Sequence, residues 1–169
     1  MAINIIYKKP KPMDGAQVNT LIKRCPPLDT NSLYCNLLQC LDFSETSIVA
    51  KNSNGEIVGF ISGYIPPKRT RTLFIWQVAL DPEYRGQGIA SEMLSRLFSR
   101  DSDLRFMETT ISPSNTASQK LFKSFFTTHH MSLETHTLFE RGIHFADDHE
   151  DEVLYRAGPA KQFTPIHAV

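Results

Sequence analysis

The stretch Arg85-Gly86-Gln87-Gly88-Ile89-Ala90 holds the residues whose types and spacing speak most directly of chemistry. It follows an apolar, strand-like run from Thr72 to Leu80 and a turn at Asp81-Pro82-Glu83-Tyr84, and it opens a helix with two glycines in the first turn. The first N–H groups of a helix lack intrahelical acceptors and lie at the positive end of the peptide dipole, so a phosphate anion suits them. Gly86 and Gly88 carry no Cβ, which lets a pyrophosphate approach the main chain. Arg85 adds a permanent positive charge. The segment reads as a pyrophosphate cradle for a nucleotide-bearing cofactor.

Other glycine-rich readings compete with this one. A P-loop is excluded, because no Lys-Ser or Lys-Thr follows the glycines. A dinucleotide fingerprint requires a third glycine directly after a strand; Ser91 stands at that position and Asp81-Pro82-Glu83-Tyr84 intervenes. Glu108 nevertheless lies at the spacing of a ribose-binding carboxylate, which keeps that reading open. A glycine-containing helix start that binds nothing is the third alternative.

The elements that position the cradle follow from the hydrophobic pattern. Ile3 to Tyr7 reads as a first strand. Asp14 is placed to cap a helix with Val18, Leu21, Ile22 and Cys25 inward, stopped by Pro26-Pro27. A second helix from about Asn31 carries Leu33, Tyr34, Leu37, Leu38 and Leu41 on one stripe. Asn54-Gly55 predicts a hairpin between Ser47–Lys51 and Glu56–Ile65. Pro66-Pro67-Lys68-Arg69 is a loop, and Thr72–Leu80 is a long strand carrying the only tryptophan, Trp76. The helix after the glycines buries Ile89, Met93, Leu94, Leu97 and Phe98. Arg105–Ile111 is a strand, and Ser114 or Asn115 caps a helix with Ala117, Leu121, Phe122, Phe125 and Phe126 inward. Thr135–Phe139 and Glu152–Arg156 read as short strands. Residues 1–158 are expected to form one domain, an α/β fold with a mixed sheet flanked by helices, and 159–169 a loosely ordered tail.

The chain balances 18 Lys and Arg against 18 Asp and Glu, with no basic run, which argues against nucleic acid or an anionic membrane as partner. No apolar stretch approaches membrane-spanning length, and Met1 to Pro10 has no signal-peptide pattern, so a cytoplasmic protein is expected. Cys25, Cys35 and Cys40 lack metal-site spacing and have no His or cation close in sequence to activate them; they read as structural thiols. His129-His130 and His136 have no zinc spacing, and no metal is expected.

Arg85, Gly88 and Ala90 fall in R-x-x-G-x-A, which resembles the acetyl-CoA motif Gln/Arg-x-x-Gly-x-Gly/Ala of the GNAT acetyltransferases, whose element order the chain also resembles. The resemblance implies the GNAT fold, with a mixed, mostly antiparallel sheet. It goes further: Leu28-Asp29-Thr30-Asn31-Ser32-Leu33-Tyr34-Cys35, Gly59-Phe60-Ile61-Ser62-Gly63-Tyr64, Trp76-Gln77-Val78-Ala79, Ser112-Pro113-Ser114-Asn115, and Arg141-Gly142 through His149 to Gly158-Pro159 resemble the diaminobutyrate acetyltransferase family of ectoine biosynthesis. This implies acetyl transfer from acetyl-CoA to the γ-amine of L-2,4-diaminobutyrate, giving N4-acetyl-L-2,4-diaminobutyrate, by a homodimer. It also implies that backbone groups of Val78 and Leu80 pair with the pantetheine arm, that Arg85, Gly86, Gln87, Gly88, Ile89 and Ala90 hold the pyrophosphate, and that Asn115 contacts the cofactor near its thioester.

An acceptor with an extra ammonium calls for acidic groups, and its amine must lose a proton before attack. Asp29 is the first candidate for the amine, with a helix N-cap as its structural alternative. Tyr34 is a candidate for the same pocket or a core aromatic. Glu152 and His149 form an H-x-x-E pair that serves as amine ligand or base, unless the acidic run Asp147-Asp148-His149-Glu150-Asp151-Glu152 is a solvated surface. Trp76 either walls the pocket or belongs to the core. One departure stands out: many GNAT enzymes carry a leaving-group acid in N-x-x-A-x-x-L-Y, whereas Asn115 to Phe122 reads N-T-A-S-Q-K-L-F and ends on a residue that donates no proton. Acetylation of another small diamine such as ornithine, or acyl-CoA binding without catalysis, are the alternatives.

Overall fold

Parallel neighbours cannot be joined by a tight turn, and the one such pair recorded here, β4 (Thr72–Leu80) with β5 (Phe106–Ile111), is connected through helix α3 (Ile89–Phe98). The structure, a computed structural model, describes residues 4–161. The remaining strands are β1 (Ile6–Lys8), β2 (Ile48–Lys51), β3 (Ile57–Tyr64), β6 (Leu133–Phe139) and β7 (Glu152–Ala157). The remaining helices are α1 (Gly15–Lys23), α2 (Leu33–Leu41), α4 (Thr116–Thr128) and the short α5 (Arg141–His144). The strand order is β1-β2-β3-β4-β5-β7-β6, a mixed sheet of seven strands. The chain resolves into two compact units, one holding residues up to Tyr64 with Trp76–Leu97, the other Ile65–Ile75 with the chain from Phe98 onward.

In the first unit, β2 pairs antiparallel with β1 and with β3, in the register Ile48↔Ile61 and Val49↔Phe60. The turn between β2 and β3 is organised by Asn52, whose Oδ1 accepts from the N–H of Asn54 and of Glu56, each at 3.0 Å. The core of this unit gathers Val18, Leu21, Ile22 and Cys25 with Cys40, Val49, Phe60 and Ala79. Each fully buried Leu, Ile or Phe contributes about 2 kcal/mol, so apolar burial is what holds α1 on the strands.

Two expectations for this unit need correction. Asp14 does not cap α1: its carboxylate turns back to accept from the Lys11 N–H at 2.8 Å and pairs with Lys51 at 2.7 Å, because a 3-10 turn over Pro12–Asp14 precedes the helix. The leucine stripe of α2 is not its buried face. Leu33, Tyr34 and Leu41 are exposed, while Asn36, Gln39 and Cys40 face inward. Asn36 is buried because it is matched: Asn19 Nδ2 donates to its Oδ1 at 2.9 Å, and its own amide donates to Gln39 Oε1 at 2.9 Å. Hydrogen-bonded amides tolerate burial, and periodicity alone does not reveal which face has partners.

In the second unit, β4 pairs with β5 over Thr72–Ile75 and Phe106–Thr109, and β7 lies antiparallel between β5 and β6. Phe122, Phe125 and Phe126 of α4 are buried, as the pattern predicts, and Phe98 stands edge-on to Phe125 at 6.4 Å. Ala117 is exposed, contrary to expectation, because the helix turns its Phe-bearing face to the core and Ala117 falls outside it. The tail expected from Pro159 lies outside the described residues beyond Lys161; within them, Ala160 donates to the Arg105 carbonyl at 2.7 Å.

Glu108 is 1% exposed, and both of its oxygens are engaged. One accepts from Nε and Nη2 of Arg69 at 3.1 and 2.8 Å, and the other from Arg156, whose guanidinium lies 4.0 Å over the Phe106 ring. A carboxylate saturated in this way does not serve a ribose, so the dinucleotide reading falls. Removing one member of a buried ionic cluster strands the others. Glu108→Ala is therefore expected to lower the unfolding free energy by about 3 kcal/mol, read from urea titration of the purified protein.

Candidate active site

At the end of β4 the chain leaves the sheet through a 3-10 turn at Pro82–Tyr84, capped by Asp81, whose Oδ1 accepts from the Glu83 N–H at 3.1 Å. The other carboxylate oxygen of Asp81 pairs with Arg24 of α1 at 3.1 Å. Gly86 and Gly88 then adopt φ of 75° and 77°. A right-handed helix cannot contain such residues, so the glycines precede α3, which starts at Ile89, and do not form its first turn. No atom lies within 4 Å of a Cβ built on either glycine. The left-handed backbone, not crowding, demands glycine here, and another residue would cost about 1–2 kcal/mol at each position.

The consequence is an open helix start. Glu92 N–H donates to the Gly88 carbonyl at 3.0 Å, so the amides of Ile89, Ala90 and Ser91 precede any intrahelical acceptor. Arg85 Nε donates to the Leu80 carbonyl at 3.3 Å and Gln87 Nε2 to the Glu83 carbonyl at 3.3 Å, which folds both side chains onto the turn. The Leu80 carbonyl also accepts from Cys25 Sγ at 3.4 Å, so of the backbone groups predicted to meet a ligand this one is already engaged. Main-chain amides beside one exposed guanidinium make a site for a di-anion.

Asp29 and Tyr34 belong to the same unit. Asp29 lies in the exposed loop between α1 and α2, and the helix cap is not its role: Ser32 Oγ accepts from the Cys35 N–H at 3.1 Å. Tyr34 is 69% exposed and Trp76 46%, so neither is a core aromatic. Trp76 stands edge-on to Tyr64 at 6.3 Å, and Tyr64 packs on Phe43, forming an aromatic row in which Trp76 shows part of its face. Val78 follows on β4 and is half-buried. Gln77 is the residue sequence reasoning missed. Its amide bridges Asn31 and the Asp29 carbonyl, and the available signal was a polar amide within the apolar run Thr72–Leu80.

The second unit carries Asn115, His149 and Glu152. Asn115 Oδ1 accepts from the Ser118 N–H at 3.1 Å, so this residue is the N-cap of α4. Phe122, at the position of the absent tyrosine, is buried against Phe126. The acidic run is only partly a solvated surface: Asp147 and Asp148 are exposed, whereas His149 to Glu152 are half-buried. His149 Nδ1 is 2.7 Å from the Glu150 carbonyl, and a carbonyl only accepts, so Nδ1 carries a hydrogen. Its ring lies against Phe145, and Nε2 stands 3.8 Å from Glu152 Oε1. The ring thus turns its other nitrogen, Nε2, toward the Glu152 carboxylate.

Burial pushes all three thiols upward, Cys40 to about 11 with the Asp14 charge adding to the effect, and Cys25 despite the opposing pull of Arg85. A raised thiol stays protonated at neutral pH, which disfavours a covalent acyl-cysteine mechanism. Native protein at pH 8 is accordingly expected to take up iodoacetamide slowly, Cys40 last, with all three alkylated rapidly only in denaturant; peptide mass mapping reads the order. Among the described residues, no three His, Cys, Asp or Glu side chains gather to hold a metal, and no helix is long and apolar enough to cross a membrane.

Comparison with known proteins extends this geometry. Residues 16–126 match the acetyltransferase (GNAT) family. The L-2,4-diaminobutyric acid acetyltransferase of Methylotuvimicrobium alcaliphilum is 46% identical over 159 residues, spanning 93% of this chain and 92% of that protein. The enzyme of the same name from Streptomyces avermitilis is 46% identical over 154 residues, spanning 89% and 86%. The diaminobutyrate acetyltransferase of Paenibacillus lautus, solved with L-2,4-diaminobutyric acid and coenzyme A, superposes with a TM-score of 0.88 at 38% identity, covering 98% of this chain and 99% of that one. With the glycine turn and open helix start already in place, these likenesses assign the chain to the GNAT acetyltransferases and, among them, to the L-2,4-diaminobutyric acid acetyltransferase family.

Proposed function

We propose that this protein transfers the acetyl group of acetyl-CoA to the γ-amine of L-2,4-diaminobutyrate, giving N4-acetyl-L-2,4-diaminobutyrate in ectoine biosynthesis. The observation that carries the proposal is the open helix start of α3 after two left-handed glycines, in a chain that shares 46% identity over 93% of its length with a diaminobutyrate acetyltransferase. The residues fit a CoA pyrophosphate: the amides of Ile89 and Ala90 face it after two left-handed glycines, with Arg85 supplying charge. Gly86, Gln87 and Gly88 shape the loop, and Val78 and Leu80 lie on the strand that meets the pantetheine arm.

The chemistry is direct attack. The acceptor nitrogen forms a bond to the thioester carbon, the C–S bond breaks with its electron pair on sulfur, and the nitrogen's proton passes to a base. Alkylammonium groups titrate near ~10, so at neutral pH only about one molecule in a thousand offers a free amine. On this reading Asp29 and Tyr34 hold the amine-bearing acceptor, with Trp76 walling it. Glu152, with His149 beside it, binds or deprotonates the amine. Asn115 contributes its amide nitrogen near the thioester, its oxygen serving α4. Phe122 supplies no proton, and none is required at sulfur, because a thiol titrates near ~8.5 and leaves as the thiolate.

The protein acts in the cytoplasm on this reading, a compartment that suits its free thiols. It acts as a homodimer, and the exposed Leu33 and Leu41 of α2 support a self-associating surface.

Thiol release by the purified protein tests the assignment. Diaminobutyrate is expected to be turned over with a kcat/KM at least about tenfold above that of ornithine, the ratio one methylene provides. Glu152→Gln is expected to lower kcat about a hundredfold or more, the usual contribution of a general base. Comparable turnover of ornithine would reject the narrow substrate, and acetyl-CoA binding with no acceptor releasing thiol would establish a non-catalytic module instead. Sedimentation velocity is expected to give twice the chain mass.

A further inference from the structure

We infer that Gln77 sets the position of Asp29 against β4 and thereby the acceptor that the enzyme selects. The inference rests on the reading of Asp29 as the ligand of the acceptor's amine. Both ends of the Gln77 amide are used on one loop: Oε1 accepts from Asn31 Nδ2 at 3.1 Å, and Nε2 donates to the Asp29 carbonyl at 2.9 Å. Gln77 lies between Trp76 and Val78, on the strand that carries the acyl donor, so it fixes the acceptor-binding loop to the same element.

The loop is anchored on either side of Asp29. Leu28 packs against the core of the first unit. The Asn31 carbonyl accepts from Asn19 Nδ2 at 3.0 Å, and Asn19 continues through Asn36 to the buried Gln39. A chain of side-chain amides thus runs from β4 through the loop to α1 and α2. Every link is neutral, which matters beside a carboxylate that binds a cation. A lysine or arginine at position 77 could still donate to the Asp29 carbonyl, but it has no acceptor for Asn31, and its charge would compete with the substrate ammonium for Asp29. An amide fixes the backbone without bringing a charge of its own beside Asp29. The distance between that charge and the strand then discriminates acceptors by chain length.

Gln77→Met preserves length and volume while removing both hydrogen bonds. It is expected to raise KM for diaminobutyrate about tenfold, the equivalent of one or two lost hydrogen bonds, with KM for acetyl-CoA within about twofold and a reduced preference for diaminobutyrate over ornithine. Because Gln77 acts through Asp29, combining Gln77→Met with Asp29→Asn is expected to add nothing to Asp29→Asn alone. Gln77→Glu, which keeps the acceptor for Asn31 but turns an anionic oxygen to the Asp29 carbonyl, is expected to fail to rescue. Multiplying effects in the double variant, an equal rise in both KM values, or an unchanged acceptor KM overturns the inference. If Gln77→Met does not fold, Asn31→Ala removes one of the two bonds and must raise the acceptor KM in the same direction; no rise overturns the inference equally. Asp29→Asn alone separates the two levels: if it leaves the acceptor KM unchanged, the role of Asp29 falls and this inference with it, whereas a raised KM there beside an unaffected Gln77→Met sinks the inference only.

Discussion

Two consecutive reversals of backbone hand, at Gly86 and Gly88, determine what the end of β4 can do. They stop the chain from running straight into a helix and deliver it to Ile89 with its amides still unpaired. Nothing crowds a Cβ at either glycine, so the requirement comes from φ alone. The side chains nearby bond to the turn itself, Asp81 to Glu83, Arg85 to Leu80 and Gln87 to Glu83. The open helix start is therefore built from backbone whose shape the local sequence imposes, and as the proposed anion site it would need little reorganisation when charge arrives.

The two units partner their main buried polar side chains with a different balance of charge and neutral amides. The second uses charge: Glu108 neutralised by Arg69 and Arg156, with Phe106 under one guanidinium. The first pairs the buried Asp14 with Lys51 and adds neutral amides, from Asn19 through Asn36 to Gln39, and again from Gln77 to the Asp29 loop. A buried carboxylate is expensive unless its partners are complete, so the ionic cluster locks its strands in one arrangement. The amide chain carries no net charge, so it holds the loop that bears Asp29 without adding a fixed charge beside that carboxylate.

Departures from the family's habitual chemistry become intelligible in the same terms. Phe122 in place of a tyrosine joins the aromatic cluster of α4, and the reaction bears the loss because a thiolate is a good leaving group. The attacking amine is the harder proton problem. The groups proposed to address it, Asp29 in one unit and His149 and Glu152 in the other, lie on a loop, in a partly buried acidic run and at the start of β7. The cysteines, which carry the chain's most nucleophilic side chains, are raised by burial and removed from the chemistry.

Local pattern was enough for the hairpin of β2 and β3, for β4 and β5, for the buried residues of α3, and for the glycine turn that leads into it, because turn residues, apolar periodicity and glycine placement act over a few residues. The family was legible for the same reason: its motifs are contiguous. The helix faces of α2 and the place of Ala117 were not legible, since an exposed Leu33 and a buried Asn36 depend on what a different helix offers. Nor was the fate of Glu108, whose ribose-like spacing disappears once Arg69 and Arg156, 39 and 48 residues away, close on it. Gln77 looked like one polar residue in a strand; only folding brings its amide to Asp29 and Asn31. Composition and spacing decide which groups exist and which short elements carry them, whereas pairings between distant residues are set by tertiary packing, because only there do burial and a matching donor or acceptor occur together.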